Sequence, residues 1–181
     1  LTIDNEKALN KIQLNVEKAK LFRRTDKNQT EIKYNIYPNP TFRVSTGLVE
    51  NEQNIWFHPP RFGFFRALET CPFPYIKLNK NAGYKWNDEM VISDYWSDER
   101  WGIWKEKLLL KYGYEIMGEE TMDTDFGNLS VTKVYATASS VIGKSSLISY
   151  FNDKYGFIKL EYVLFSGDKI ILELKEIKSV N

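Results

Sequence analysis

The chain has 181 residues, with 25 Lys and Arg against 24 Asp and Glu, and its net charge of +1 has no basic stripe behind it, which argues against nucleic acid as a partner. With 43% hydrophobic and 27% charged residues it can bury a core, and wholesale disorder is excluded. One cysteine, Cys71, excludes an internal disulfide and a multi-cysteine zinc site, and no apolar run reaches the length of a transmembrane helix.

Residues 4–20 open on Asp4 and place Ala8, Leu9, Ile12 and Val16 near helical spacing, which predicts a short N-terminal helix. Ile12, Leu14 and Val16 also repeat at period two, so an extended lead-in over 1–20 competes with it. "EIKYNIY" at 31–37 alternates Ile32, Tyr34 and Ile36 with polar neighbours and stops at the prolines of "PNP", the mark of a strand. Short strands are expected at 42–44 and 55–57. Residues 58–104 hold most of the prolines and four of the five Trp, and read as long aromatic-rich loops with short strands, so that 31–104 forms one stretch of this kind.

From 106 to 177 the texture becomes regular. Leu108, Leu110, Tyr112, Tyr114 and Ile116 alternate up to Gly118, and further alternating runs follow, separated by glycine-bearing turns near 127, 143, 156 and 167. Strands in series joined by short turns make hairpins, and hairpins in series make an antiparallel meander. Ile158, Leu160, Tyr162 and Leu164 form one apolar set, and Ile170, Leu172 and Leu174 a second, both expected to face the interior. The expected fold is one mainly β domain over 1–181, α+β only at the margin, in which a curved antiparallel meander or half-barrel joins a short N-terminal helix and aromatic-rich loops.

Several short motifs invite chemistry. "GKSS" at 143–146 ends like a phosphate loop, but Ala138 stands where its first glycine belongs and "SLISYF" after it reads as a strand, so a hairpin turn is the better reading. "DFG" at 125–127 lacks any companion catalytic loop and is read as a turn; the same segment puts glycine and Val134 at the wrong places for a calcium loop. His58, the only histidine, has a side chain suited to general-base work, with a hydrolase around it as one alternative, and pairing with Cys71 as another. Its plain alternative is a loop-fixing hydrogen bond. "YWSDERWGIW" sets Trp96, Trp101 and Trp104 beside Asp94, Asp98 and Glu99; indole faces near carboxylates suit glycans, while an aromatic plug at one end of the sheet is the structural alternative. No catalytic set, metal site or cofactor is expected.

"TDFGNLSVTKVYATASSVIGKSSLISYFNDKYGFIKLEY" combines a T-x-F-G lead-in, an alternating strand, a glycine turn, a strand ending in "YF" and a Tyr-Gly turn before an apolar strand. Over roughly 121–175 this resembles small exported envelope proteins of Gram-negative bacteria, the group around the lipoprotein-sorting chaperones. The resemblance implies a curved sheet partly wrapped around one or more helices, with a concave apolar face that takes acyl chains in some members. It also implies export to the periplasm or outer membrane, with a lipid anchor on a cysteine upstream of Leu1; a first residue other than Met fits the expectation of a preceding targeting segment. The expected function is thus a non-enzymatic envelope protein, a lipoprotein, that binds a lipid, acyl chain or other hydrophobic ligand on Ile158, Leu160, Tyr162, Leu164, Ile170, Leu172 and Leu174, with the tryptophan glycan site as alternative.

Overall fold

The computed structural model describes residues 2–3, 6–7, 11–18, 29–37 and 43–178, and it is mainly β. A minimal pair, β1 (Thr2–Ile3) and β2 (Glu6–Lys7), comes first. A five-stranded antiparallel sheet follows in chain order: β3 (Lys11–Lys18), β4 (Gln29–Tyr37), β5 (Arg43–Glu50), β6 (Asn54–Phe57) and β7 (Tyr75–Lys77). The second sheet has six antiparallel strands, also in chain order: β8 (Lys85–Ser93), β9 (Lys107–Thr124), β10 (Gly127–Ser140), β11 (Gly143–Asn152), β12 (Gly156–Val163) and β13 (Lys169–Glu173). It curls into a half-barrel.

The period-two reading of the N-terminus is the one realised. Lys11–Lys18 is a strand paired along its whole length with β4, so no helix covers that part of 4–20; Asp4, Ala8 and Leu9 lie outside the described residues, as do "PNP" and Phe42. Ile12 has a cross-strand partner in β4, and β4 buries Ile32 and Tyr34, which a helix could not align with a sheet. The short helix of the fold lies elsewhere. Gly63–Thr70 forms a 3-10 helix in the stretch read as loop, burying Phe65, Ala67, Leu68, Glu69 and Thr70.

This helix sits in the hollow of the half-barrel. Ser145 Oγ on β11 donates to the Thr70 carbonyl at 2.8 Å, and next to Ser145 the sheet presents Ala138 and Ala136, small residues of the same buried cluster as Leu68 and Cys71. Around it one buried cluster runs through both sheets: Ile32, Tyr34 and Phe57 from the first, Leu108, Leu110, Tyr112, Leu147, Leu160 and Ile170 from the second. Aromatic contacts hold the sheets together at two seams. Trp86 of β8 stacks on Tyr114 of β9 with centroids 5.0 Å apart, Tyr75 of β7 meets both edge-on, and Phe57 of β6 meets Phe157 of β12 at 5.4 Å.

Two bulges shape the six-stranded sheet. Lys133 pairs with Gly118 but Val134 with Ile116, which leaves Met117 as the extra residue, and Gly118 takes φ +128, a conformation open to glycine at little cost. Expected to end at Gly118, the strand instead passes through this bulge and continues to Thr124. The second bulge lies where Tyr150 pairs with Lys159 but Phe151 with Phe157, so Ile158 has no partner opposite. Strand β8, absent from the sequence reading, forms one border of the sheet and carries Asp88 and Glu89 opposite Tyr112 and Lys111.

Leu160→Ala, at a site 5% exposed in the main core, is expected to lower the unfolding free energy in urea by about 2–5 kcal/mol. Leu109→Ala, 41% exposed on the other side of the same sheet, should stay within about 0.5 kcal/mol of the parent.

Candidate functional site

Leu160, Tyr162, Leu164 and Ile170 are buried in the main core with Leu172 packed against them, so the concave face is filled by the protein's own helix and side chains rather than open to a ligand. Ile158 and Leu174 leave that set. The bulge at Ile158 turns it to the opposite face, where it is buried with Val131 and Tyr150, and Met122, Leu129, Ile148, Tyr155 and Leu174 pack around this smaller cluster. Phe157, which strict alternation with Ile158 and Leu160 would put on the other face, points inward and joins Phe57 and Phe151.

Beside the smaller cluster a cleft of ≈ 180 Å³ opens between the β9–β10 hairpin and the β12–β13 edge. Met122, Ile158 and Leu174 give it apolar walls, and Asp123, Asp125, Lys159, Glu173 and Lys175 surround them. The charges are tied to one another: Lys175 reaches Asp125 at 3.4 Å and Glu173 at 3.0 Å, and Lys159 reaches Glu173 at 3.7 Å. The outcome is a mainly polar recess with three apolar side chains in its lining and a rim on which the carboxylates of Asp123, Asp125 and Glu173 face Lys159 and Lys175.

The tryptophans of the glycan alternative part company. Trp101 is 2% exposed and Trp104 8%, both in the main core, and the Trp101 indole donates to the Trp96 carbonyl at 2.9 Å. Trp96 alone keeps ring area open, and the guanidinium groups of Arg61 and Arg66 lie 5.9 and 5.6 Å from its centre. Arg100 covers Trp101 while forking onto Asp98 at 2.7 and 2.8 Å, which engages the nearest carboxylate. The three rings therefore work mainly as a plug.

His58 follows β6 and is held by its backbone: Tyr34 and Thr46 hydroxyls donate to its carbonyl at 2.7 and 3.2 Å, and its amide donates to the Gly47 carbonyl. The imidazole rests on Phe73, centroids 4.3 Å apart, and its buried Nδ1 faces Glu69 Oε1 at 3.8 Å, while Arg61 Nη1 stands 3.4 Å from the same oxygen. Glu69 came to light only through the fold; a lone acid inside "FFRALETCPF" was the available signal, since a carboxylate shut from water requires a partner. Burial, reinforced by the Arg61 charge, lowers the His58 pKa to about 4, so the ring is neutral at pH 7. Burial raises the Glu69 carboxyl, with Arg61 pulling the other way. Cys71 is no partner for His58: it is fully buried, burial pushes its thiol to about 12, and its sulfur lies 3.9 Å from the Ala67 carbonyl.

Among the described residues no helix is long and apolar enough to cross a membrane. "GKSS" is the opening of strand β11, directly after the two-residue turn at Val141 and Ile142, and "DFG" is the turn that leads into β10, with Gly127 at φ +88. No protein-family model, curated protein or solved structure matches the chain.

A histidine whose folded pKa is depressed lends stability above its ordinary pKa and loses it on acidification. Unfolding free energy is expected to fall as pH drops from about 6.5 towards about 4, by up to about 3 kcal/mol, with protonation of Glu69 offsetting part of it. In His58→Gln this part of the pH profile should flatten, as read from urea midpoints at successive pH values.

Proposed function

We propose that the protein is a non-enzymatic binding protein that holds the apolar end of a small amphipathic ligand in the cleft between the β9–β10 hairpin and the β12–β13 edge. The observation behind this is the joining, in one recess, of the apolar side chains of Met122, Ile158 and Leu174 with the charged rim of Asp125, Lys159, Glu173 and Lys175. At ≈ 180 Å³ the recess is smaller than the roughly 300–1,000 Å³ of drug-sized pockets. It suits a branched side chain or a short aliphatic tail whose polar end meets the rim, not a whole acyl chain. Residence in the cell envelope, with a lipid anchor upstream of Leu1, belongs to the same proposal and is supported by the residue pattern of 121–175.

Titration of isotope-labelled protein with octanoate is expected to shift the amide resonances of Met122, Ile158 and Leu174 and their neighbours. Met122→Trp, which fills the recess, should abolish those shifts. Shifts confined to Leu160 and Ile170, or none at all, would overturn the reading.

A second reading, a hydrolase around His58, has one observation in its favour: the Glu69 carboxylate lies beside Nδ1, where a carboxylate orients a general base. On that reading p-nitrophenyl acetate is turned over and His58→Ala abolishes turnover; equal rates for the two proteins dismiss it.

A further inference from the structure

We infer that the end of the molecule bearing the β10–β11 hairpin tip is a docking surface for an anionic lipid bilayer, with Val91, Leu109 and Val141 entering the headgroup boundary and Lys107, Lys111 and Lys144 meeting lipid phosphates. The strand register lays out this surface. On the face away from the core, Val91 pairs with Leu109, and continuation of the β9–β10 ladder beyond Lys111 and Ser139 brings Leu109 towards Val141 at the hairpin tip. These side chains are 56%, 41% and 95% exposed, and it is their lying side by side, two on the sheet and one in the turn, that is unusual rather than the exposure of any one. Ile103, 62% exposed, belongs to the same end, because Gly102 beside it lies against Ile142 of the tip.

The lysines bracket the apolar row. Lys107, opposite Ser93, lies on one side of it; Lys111, opposite Ser139, which in turn pairs with Lys144, lies on the other. Among the described residues none of these three makes an ion pair, as is also true of Lys77, Lys80, Lys105 and Lys154, while Lys33, Lys85, Lys133, Lys159 and Lys175 are paired, so it is the position of the three around the apolar row that sets them apart. Glu89, opposite Lys111, is the carboxylate in these rows. Asp94 and Glu106 come one residue out of phase with Lys107, and the Asp94 carboxylate is engaged by the Glu106 amide at 3.2 Å.

Unpaired lysines around exposed aliphatic groups complement a surface that is anionic outside and apolar beneath. Aliphatic groups at a protruding tip give nucleic acid no ring to stack on, and they give a rigid protein partner little area to bury. The inference stands apart from the cleft, which is formed by the opposite ends of β9 and β10.

The test is co-sedimentation of the full chain with vesicles of phosphatidylglycerol and phosphatidylcholine, against phosphatidylcholine alone. Binding to the anionic vesicles only is expected, weakening as salt is raised. Lys111→Gln and Lys144→Gln should each lower the partition about fivefold, at about 1 kcal/mol per lysine near the surface. Val141→Asp should abolish binding, and Lys33→Gln on the other sheet should leave it unchanged; each substitution is at the surface, and an unchanged thermal melt checks the fold. No binding, equal binding to both vesicle types, or an equal loss with Lys33→Gln would overturn the proposal. So would self-association in sedimentation velocity that Val141→Asp removes, which assigns the patch to a second copy, or binding to duplex DNA that Val141→Asp leaves intact.

Discussion

Ser145 donates to the Thr70 carbonyl at 2.8 Å with both residues shut away from water, and the rest of the molecule is organised around the docking that this bond marks. A sheet that curls leaves an apolar hollow, and an unfilled hollow forfeits dispersion contacts along its whole lining. Here the hollow receives Gly63–Thr70, so the first sheet must deliver that segment between β6 and β7 and recover it afterwards. His58 and Glu69 are carried inward with it, which is why a histidine near the chain's surface loops comes to face a carboxylate that is 2% exposed. Among the described residues the Tyr112 and Tyr162 hydroxyls are buried without a hydrogen-bond partner, a cost of ordering large rings around a narrow helix.

Much of the second sheet was legible because its strands carry the signal that a half-buried antiparallel sheet demands. Leu108, Leu110, Tyr112, Tyr114 and Ile116 alternate in the sequence and all five are buried in the fold. What alternation could not reveal was the bulges, where one added residue reverses every face beyond it: Gly118 looked like a stop, and Ile158 looked like the start of the inward set. Strand β8 was illegible for another reason. Trp86, Met90 and Ile92 keep the period, but Asp88 breaks it and is exposed, so the run reads as irregular until β9 is beside it. The N-terminal segment satisfied two periods at once, and only the partner strand decides between them.

The site was less legible than the fold. A set of alternating apolar residues is what a binding face and an ordinary core have in common, and the feature separating them, the segment that covers the face, lay in a stretch of weak periodicity. The cleft is assembled from the end of β9, a bulge in β12 and residues beyond β13, and no local pattern connects Met122 with Leu174. Trp101 and Trp104 are buried for a plain physical cause: large rings near the open end of a sheet find more surface to cover there than water offers them.

The border strand β8 runs nine residues with its neighbour on one side, and such a row of main-chain groups is a template on which identical chains can polymerise. Lys85, Asp88 and Glu89 are spaced along it, and a second strand zipping on would have to strip solvent from all of them. Their placement at the rim raises the cost of edge-to-edge growth when chains are crowded together.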